Sequence, residues 1–280
     1  MRGLGIVLAG FILLLSGNVE AQPLPQTGML LDDAAYEHLP FEPVLTKAPL
    51  PAQVSFEAYC PSVQGQGTYS TCVGFACGYY LHTILEAKKR GLKNQVAINK
   101  LAFSPGYLYE KAKLGSDYDC SQGVYLTKVL QLMQEVGNTS WQNFPYPACG
   151  EKTARVDPIA NRYRIKGYER IFKVQDSEAA KIQALKRALS EGNPVVVGMV
   201  IPASFYYTKK VWQAAPGDDP QNRDLKGHAL CIIGYDDQQS GGAFRIINSF
   251  GKTWADQGFC WITYRDMARF VRYGFVVKGI

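Results

Sequence analysis

Hydrophobic positions along the chain change their period past residue 150. From Cys72 onward, Val73, Ala76 or Cys77, Tyr80, Ile84 and Ala87 recur every three to four residues, the signature of one helix face. Lys88-Lys89-Arg90-Gly91 closes that run. Cations suit the carbonyl end of a helix dipole, and glycine takes the left-handed cap without steric cost. Ser104-Pro105 predicts a second helix through about Lys113, with serine as cap and proline at the first helical position. A third is expected from about Val124 to Glu135, stopping at Gly137.

One further helix, Ser177 to Glu191, precedes a series of strand-like runs: Val195–Ile201, Ala229–Tyr235, Phe244–Ile247, Phe259–Tyr264 and Phe275–Lys278. Tyr163–Phe172 has the same texture. The segment Trp212 to Lys226 is polar and turn-rich, and reads as a loop leading into His228. Helices first and strands later predict an α+β chain with two lobes.

The N-terminus has a different texture. Arg2 precedes an uncharged apolar run from Leu4 to Leu15, and Val19-Glu20-Ala21 offers small residues where a signal peptidase cuts. The run has the length of a signal-peptide core and is short for a bilayer span. Residues 1–21 are therefore expected to direct export, to a periplasmic or secreted location, with no membrane association afterwards. Residues 22–55 are rich in proline and weakly patterned, which predicts an extended arm; Pro40 and Pro43 exclude a long helix.

Composition adds two constraints. Hydrophobic residues make up 47% and charged residues 19%, as in a globular protein, and the net charge of +6 is scattered along the chain. With no basic stripe, nucleic acid is not the expected partner. Seven cysteines, Cys60, Cys72, Cys77, Cys120, Cys149, Cys231 and Cys260, leave at least one thiol unpaired in an oxidising compartment.

Cys72 is the thiol with a reason to react. It opens a helix behind Ser70 and Thr71 as cap candidates, where backbone N–H groups and the dipole favour a thiolate. Of three histidines, His82 lies ten residues along the same helix and about 15 Å away, out of reach, and His38 lies in the arm. His228 begins an apolar strand at the end of a loop, and Asn248 ends the strand Phe244–Ile247. An amide there can hold the imidazole in its useful tautomer.

These residues lie in segments that resemble the papain-like C1 peptidases. QGQGTYSTCVGFA (Gln64 to Ala76) is similar to the family's Cys box, GHALCIIGYDD (Gly227 to Asp237) to its His box, and NSFGKTWADQGFCWI (Asn248 to Ile262) to its Asn box. SPGYLYEKA and NFPYPACG also resemble bacterial members. The likeness covers roughly residues 55 to 280. The order Cys, His, Asn agrees, with separations somewhat above the usual ~130–150 residues. Three departures stand out: Val73 replaces a frequent tryptophan, Tyr69 replaces a cysteine that is usually bridged, and Phe250 replaces the tryptophan that shields the His–Asn bond.

The resemblance implies a papain-like two-lobe fold. A helical lobe (55–155) carries Cys72, and an antiparallel β-barrel-like lobe (156–280) carries His228 and Asn248, with the active-site cleft between them. It implies a cysteine peptidase that cleaves peptide or protein substrates through a thioester on Cys72 and needs no cofactor or metal; a monomer is expected. Gln66 falls where the family's oxyanion-hole glutamine sits. Gln122, Gly123, Val124, Tyr125 and Ala229 fall where substrate is bound. A Cys120–Cys149 disulfide is implied in the same way, with Cys60–Cys77 as a weaker second pair. The arm (22–54) is too short for a full prodomain, which leaves a short pro-region across the cleft or a clasp between lobes, with Leu39–Leu45 as the segment involved. A Cys–His amidase of cell-wall peptides and a silent peptide-binding homologue are the alternatives. Asn138-Thr139-Ser140 is a glycosylation sequon.

Overall fold

The computed structural model describes residues 25–41 and 49–280; the expected export signal and residues 42–48 of the arm lie outside them. The helical lobe is built around the chain from Cys72 to Lys89, which runs as an α-turn (Cys72–Gly74), a π-helical stretch (Phe75–His82) and a second α-segment (Thr83–Lys89). Gly91 follows with φ +65°, the left-handed stop the sequence predicts. Neither expected cap forms. Thr71 is the N-cap residue but makes no side-chain cap bond, and the Ser70 hydroxyl donates to Ser121 O at 2.8 Å.

Pro105–Ala112 forms as expected, with Ser104 Oγ accepting from the Tyr107 N–H. Leu126–Glu135 is the third helix, and the two residues before it form a short strand instead. Gln95–Leu101 is a helix that apolar periodicity did not reveal, capped by Asn94. Asn138 is fully buried behind the Cys72 helix, so the sequon is inaccessible in the folded chain. Cys120 and Cys149 form a disulfide; Cys60 and Cys77 are free thiols, which removes the second expected pair.

Among the described residues ten strands form one mixed sheet: β1 Met29–Leu30, β2 Gln53–Ser55, β3 Val124–Tyr125, β4 Gly167–Arg170, β5 Val195–Ile201, β6 Val211–Trp212, β7 Lys226–Asp236, β8 Ala243–Ile247, β9 Phe259–Thr263 and β10 Val271–Lys278. Its main path is β4-β10-β5-β7-β8-β9-β6. The expected barrel-like lobe is therefore an open sheet: among the described residues its end strands, β4 and β6, do not pair with each other. The helix Glu178–Ser190 forms as predicted, capped by Ser177. A short helix, Tyr264–Phe270, carries the chain from β9 across the sheet to β10.

Register sets the site. β7 and β8 are antiparallel, with Cys231 opposite Ile247. That pairing carries His228, near the start of β7, alongside the residues that follow Ile247. β5 is buried along its whole length and pairs with β7, placing Met199 opposite His228 and Gly198 opposite Ala229.

The arm is tied down in two places. β1 pairs parallel to β3 and antiparallel to β7, so it bridges the two lobes. Just after it, the helix α1 (Asp33–Glu37) is capped by Asp32 and docks on the sheet through Tyr36, which is 0% exposed. The Tyr36 hydroxyl donates to Phe172 O at 2.7 Å, and its ring packs against Tyr273 and Phe275. Arg170 bonds Glu37 at 2.6 Å and lies over the Phe41 ring.

Candidate active site

Four polar side chains without any exposed surface converge where the lobes meet: Gln66, Cys72, His228 and Asn248. Cys72 is presented by the first turn of its helix. His228 Nε2 lies 2.8 Å from Asn248 Oδ1. The same Oδ1 accepts the Ser249 N–H at 2.8 Å, so it is an acceptor and Nε2 carries the proton. Nδ1 is then the basic nitrogen, buried and without a hydrogen-bond partner. The Phe250 ring lies 4.7 Å from the imidazole, where the sequence places the shielding aromatic, and stacks in turn on Tyr206.

The segment carrying Gln66 is held from several sides. Its N–H donates to Ser249 O at 2.8 Å and its carbonyl accepts from the Tyr146 hydroxyl at 2.7 Å. Its side-chain Oε1 accepts from Ser249 Oγ at 2.5 Å. That fixes the amide nitrogen toward the cleft, where it donates to Tyr69 O at 2.7 Å and to Gln26 O at 2.8 Å. Periodicity and motif spacing gave no sign of Ser249 or Tyr146 in this role.

The cleft is filled by the chain's own arm. Gly28 N–H donates to Cys72 Sγ at 3.3 Å, and Gly28 O accepts from Val124 N–H at 2.8 Å. A Cβ on Gly28 would sit 1.8 Å from Ser70 O, so no larger residue fits. The buried Met29 side chain lies over Gly198, where an added Cβ would come within 2.3 Å of its sulfur, and beside Tyr273. The cleft segment is thus Gln26–Leu30 rather than the expected Leu39–Leu45. Phe41 instead bridges to Arg170 outside the cleft, and Val44 and Leu45 lie outside the described residues.

The expected substrate residues divide. Val124 and Ala229 are buried at the site, and Tyr125 is exposed at its edge. Gly123 takes φ +79°, but its N–H donates to the Tyr109 hydroxyl at 3.0 Å, so the rung to the arm comes from Val124. Gln122 bonds back to Ser116 and faces away from this contact. A cavity of about 780 Å³ near Pro216, Tyr264 and Arg269 contains none of these residues. Among the described residues the one grouping of metal-type ligands is Glu110 with Cys120 and Cys149, and its two cysteines are bonded to each other.

Burial of the site changes its charges. Burial pushes the Cys72 thiol up, despite backbone N–H groups of Ala229 and Gly28 that favour the thiolate. Burial also holds His228 down, to about 4, against the raising effect of its bond to Asn248. In this state the pair is neutral. The helix N-terminus, which the sequence suggests would lower the thiol, is outweighed by desolvation.

The open sheet, the helical lobe and the Cys–His–Asn arrangement define a two-lobe cysteine-protease class. The chain belongs to the papain family of cysteine proteases, whose sequence profile matches residues 57–272. Cathepsin K of Mus musculus is 27% identical over 206 residues, 72% of this chain and 56% of that protein. An uncharacterized peptidase C1-like protein of Acanthamoeba polyphaga mimivirus is 25% identical over 215 residues, 72% of this chain and 64% of its own length. The chain thus spans less than two thirds of these curated relatives. Xylellain, a cysteine protease from Xylella fastidiosa, superposes with a TM-score of 0.73 at 21% identity, covering 94% of this chain and 99% of xylellain. That likeness shows a shared fold.

Proposed function

We propose that the chain is a peptidase acting on peptide or protein substrates, with Cys72 as nucleophile, His228 as base and Asn248 as its orienter. One observation carries the reading: a peptide backbone already lies in the site, its Gln26 carbonyl on the Gln66 amide and its Gly28 N–H on Cys72 Sγ. In a productive complex a carbonyl carbon replaces that N–H at sulfur. His228 Nδ1 takes the thiol proton, Sγ bonds to the carbonyl carbon, and the oxyanion is held by the Gln66 amide and the Cys72 N–H. Collapse breaks the C–N bond, the imidazolium gives its proton to the leaving amine, and water hydrolyses the thioester.

The arm serves in the same reading as a plug followed by a clasp. Gln26–Leu30 cannot be cut as it lies, because an N–H and not a carbonyl carbon faces sulfur. Residues 32–41 anchor it through Tyr36, through Asp33, which accepts from the Tyr273 hydroxyl at 2.7 Å, and through the Glu37–Arg170 pair. Residues 1–21 are read as an export signal; no helix among the described residues is long and apolar enough to cross a membrane.

A panel of fluorogenic dipeptides tests the proposal. Wild type should hydrolyse at least one, Cys72→Ala none, and His228→Ala almost none. Asn248→Ala should retain more, since it only orients, and Gln66→Ala should lose about 10²–10³ in kcat. Wild-type turnover by Cys72→Ala would end the reading, and an inert wild type that still binds peptide would favour a silent homologue.

A further inference from the structure

The π-helical stretch Phe75–His82 puts a tyrosine where the three parts of the site meet. An i→i+5 register rotates every later side chain relative to an α-helical path, and such stretches concentrate at functional sites. Here the register aims Tyr80, 1% exposed, out of the Cys72 helix toward the other lobe. Its hydroxyl donates to Asn248 O at 2.9 Å and lies 3.2 Å from Gln64 O. It also accepts the Gln64 N–H at 3.3 Å. Burial raises this phenol well above its ordinary value, so it stays protonated and keeps its donor.

We infer that Tyr80 is a positioning residue that sets the register of the oxyanion segment and of the Asn248 backbone against the nucleophile helix; the inference rests on the peptidase reading above. Gln64 stands two residues before Gln66, and Asn248 O belongs to the residue whose side chain orients His228. Cys72 lies on Tyr80's own helix. A single phenol therefore joins three of the four chain segments that carry Gln66, Cys72, His228 and Asn248, and reaches His228 only through Asn248. Tyr79 offers an internal comparison. It is also buried on this stretch; its hydroxyl donates to Ser62 O at 2.7 Å and meets the Gln64 side chain, so it touches the oxyanion segment but not the Asn248 backbone.

The test compares Tyr80→Phe with Tyr79→Phe in the full chain. Each keeps its ring and loses one hydroxyl, so the two should lose similar thermal stability. Tyr80→Phe should lower kcat about tenfold with KM within about twofold, because misplacement acts on the chemical step. It should also move the acid limb of Cys72 alkylation by iodoacetamide to higher pH, through a loosened His228–Asn248 pair. Tyr79→Phe should change neither quantity. Unchanged kcat and alkylation profile in Tyr80→Phe, or equal effects in Tyr79→Phe, would overturn the inference. A wild type without hydrolysis would strike the peptidase reading instead, and the alkylation profiles alone would then decide the role of Tyr80.

Discussion

Gly28 is the residue on which closure of the site depends. Its N–H meets the thiol and its missing side chain lets the backbone pass Ser70. A methyl group there would overlap the Ser70 backbone, and overpacking of this kind costs about 1–3 kcal/mol. Gly28→Ala should therefore free the cleft, raising both turnover and the rate of Cys72 alkylation about tenfold or more at unchanged melting temperature. Unaltered alkylation would show that the arm does not limit access. The residue scale also shows what motifs convey. Cys72, His228, Asn248 and Gln66 could be singled out in the sequence because residue types suited to acyl transfer stand there in the order of the family's motifs. Gln26–Leu30 was not, since its contacts come from backbone groups that every residue has, and from an absent Cβ.

Among the elements, those with capping chemistry were legible: Pro105–Ala112 behind Ser104, Glu178–Ser190 behind Ser177, and the stop at Gly91. The fully buried β5 matched its predicted limits because both faces are apolar. Gln95–Leu101 escaped notice because Ile98 is its one buried residue. The π-register left no compositional trace, since it changes hydrogen-bond partners and not residue type. The arm's two parts should separate by truncation. Deletion through Leu31 removes β1 and should activate with little change in melting temperature. Deletion through Phe41 also removes Tyr36 and its bonds to Phe172 and Gly274, a loss of about 3–5 kcal/mol by the standard of large aromatic truncations. Equal stability of the two deletions would refute the clasp.

For the whole molecule, acid is the condition to examine. His82 is fully buried, stacked on Phe103 at 3.9 Å, with neither ring nitrogen bonded. Burial, helped by Lys89, lowers it to about 3, and burial lowers His228 to about 4. Both bind protons more readily unfolded. The stability they confer is full above about pH 6.5 and is lost as pH falls toward their folded values. Each should cost about 1.4 kcal/mol per pH unit across that window. The melting temperature should fall from pH 7 to 4.5, and His82→Phe, which keeps the stack, should flatten the decline. An identical slope in that variant would remove His82 as the cause.

On the proposed reading, covalent attachment gives the plug a property that no separate inhibitor has. With α1 fixed at Tyr36, Gln26–Leu30 is tethered a few residues from its binding place, at an effective concentration on the order of millimolar. Closure is then a unimolecular equilibrium. Diluting the protein cannot open the site, concentrating it cannot shut it further, and each copy is restrained without a partner. A substrate must outcompete a local ligand of fixed strength, so weakly bound peptides are excluded while tightly bound ones enter.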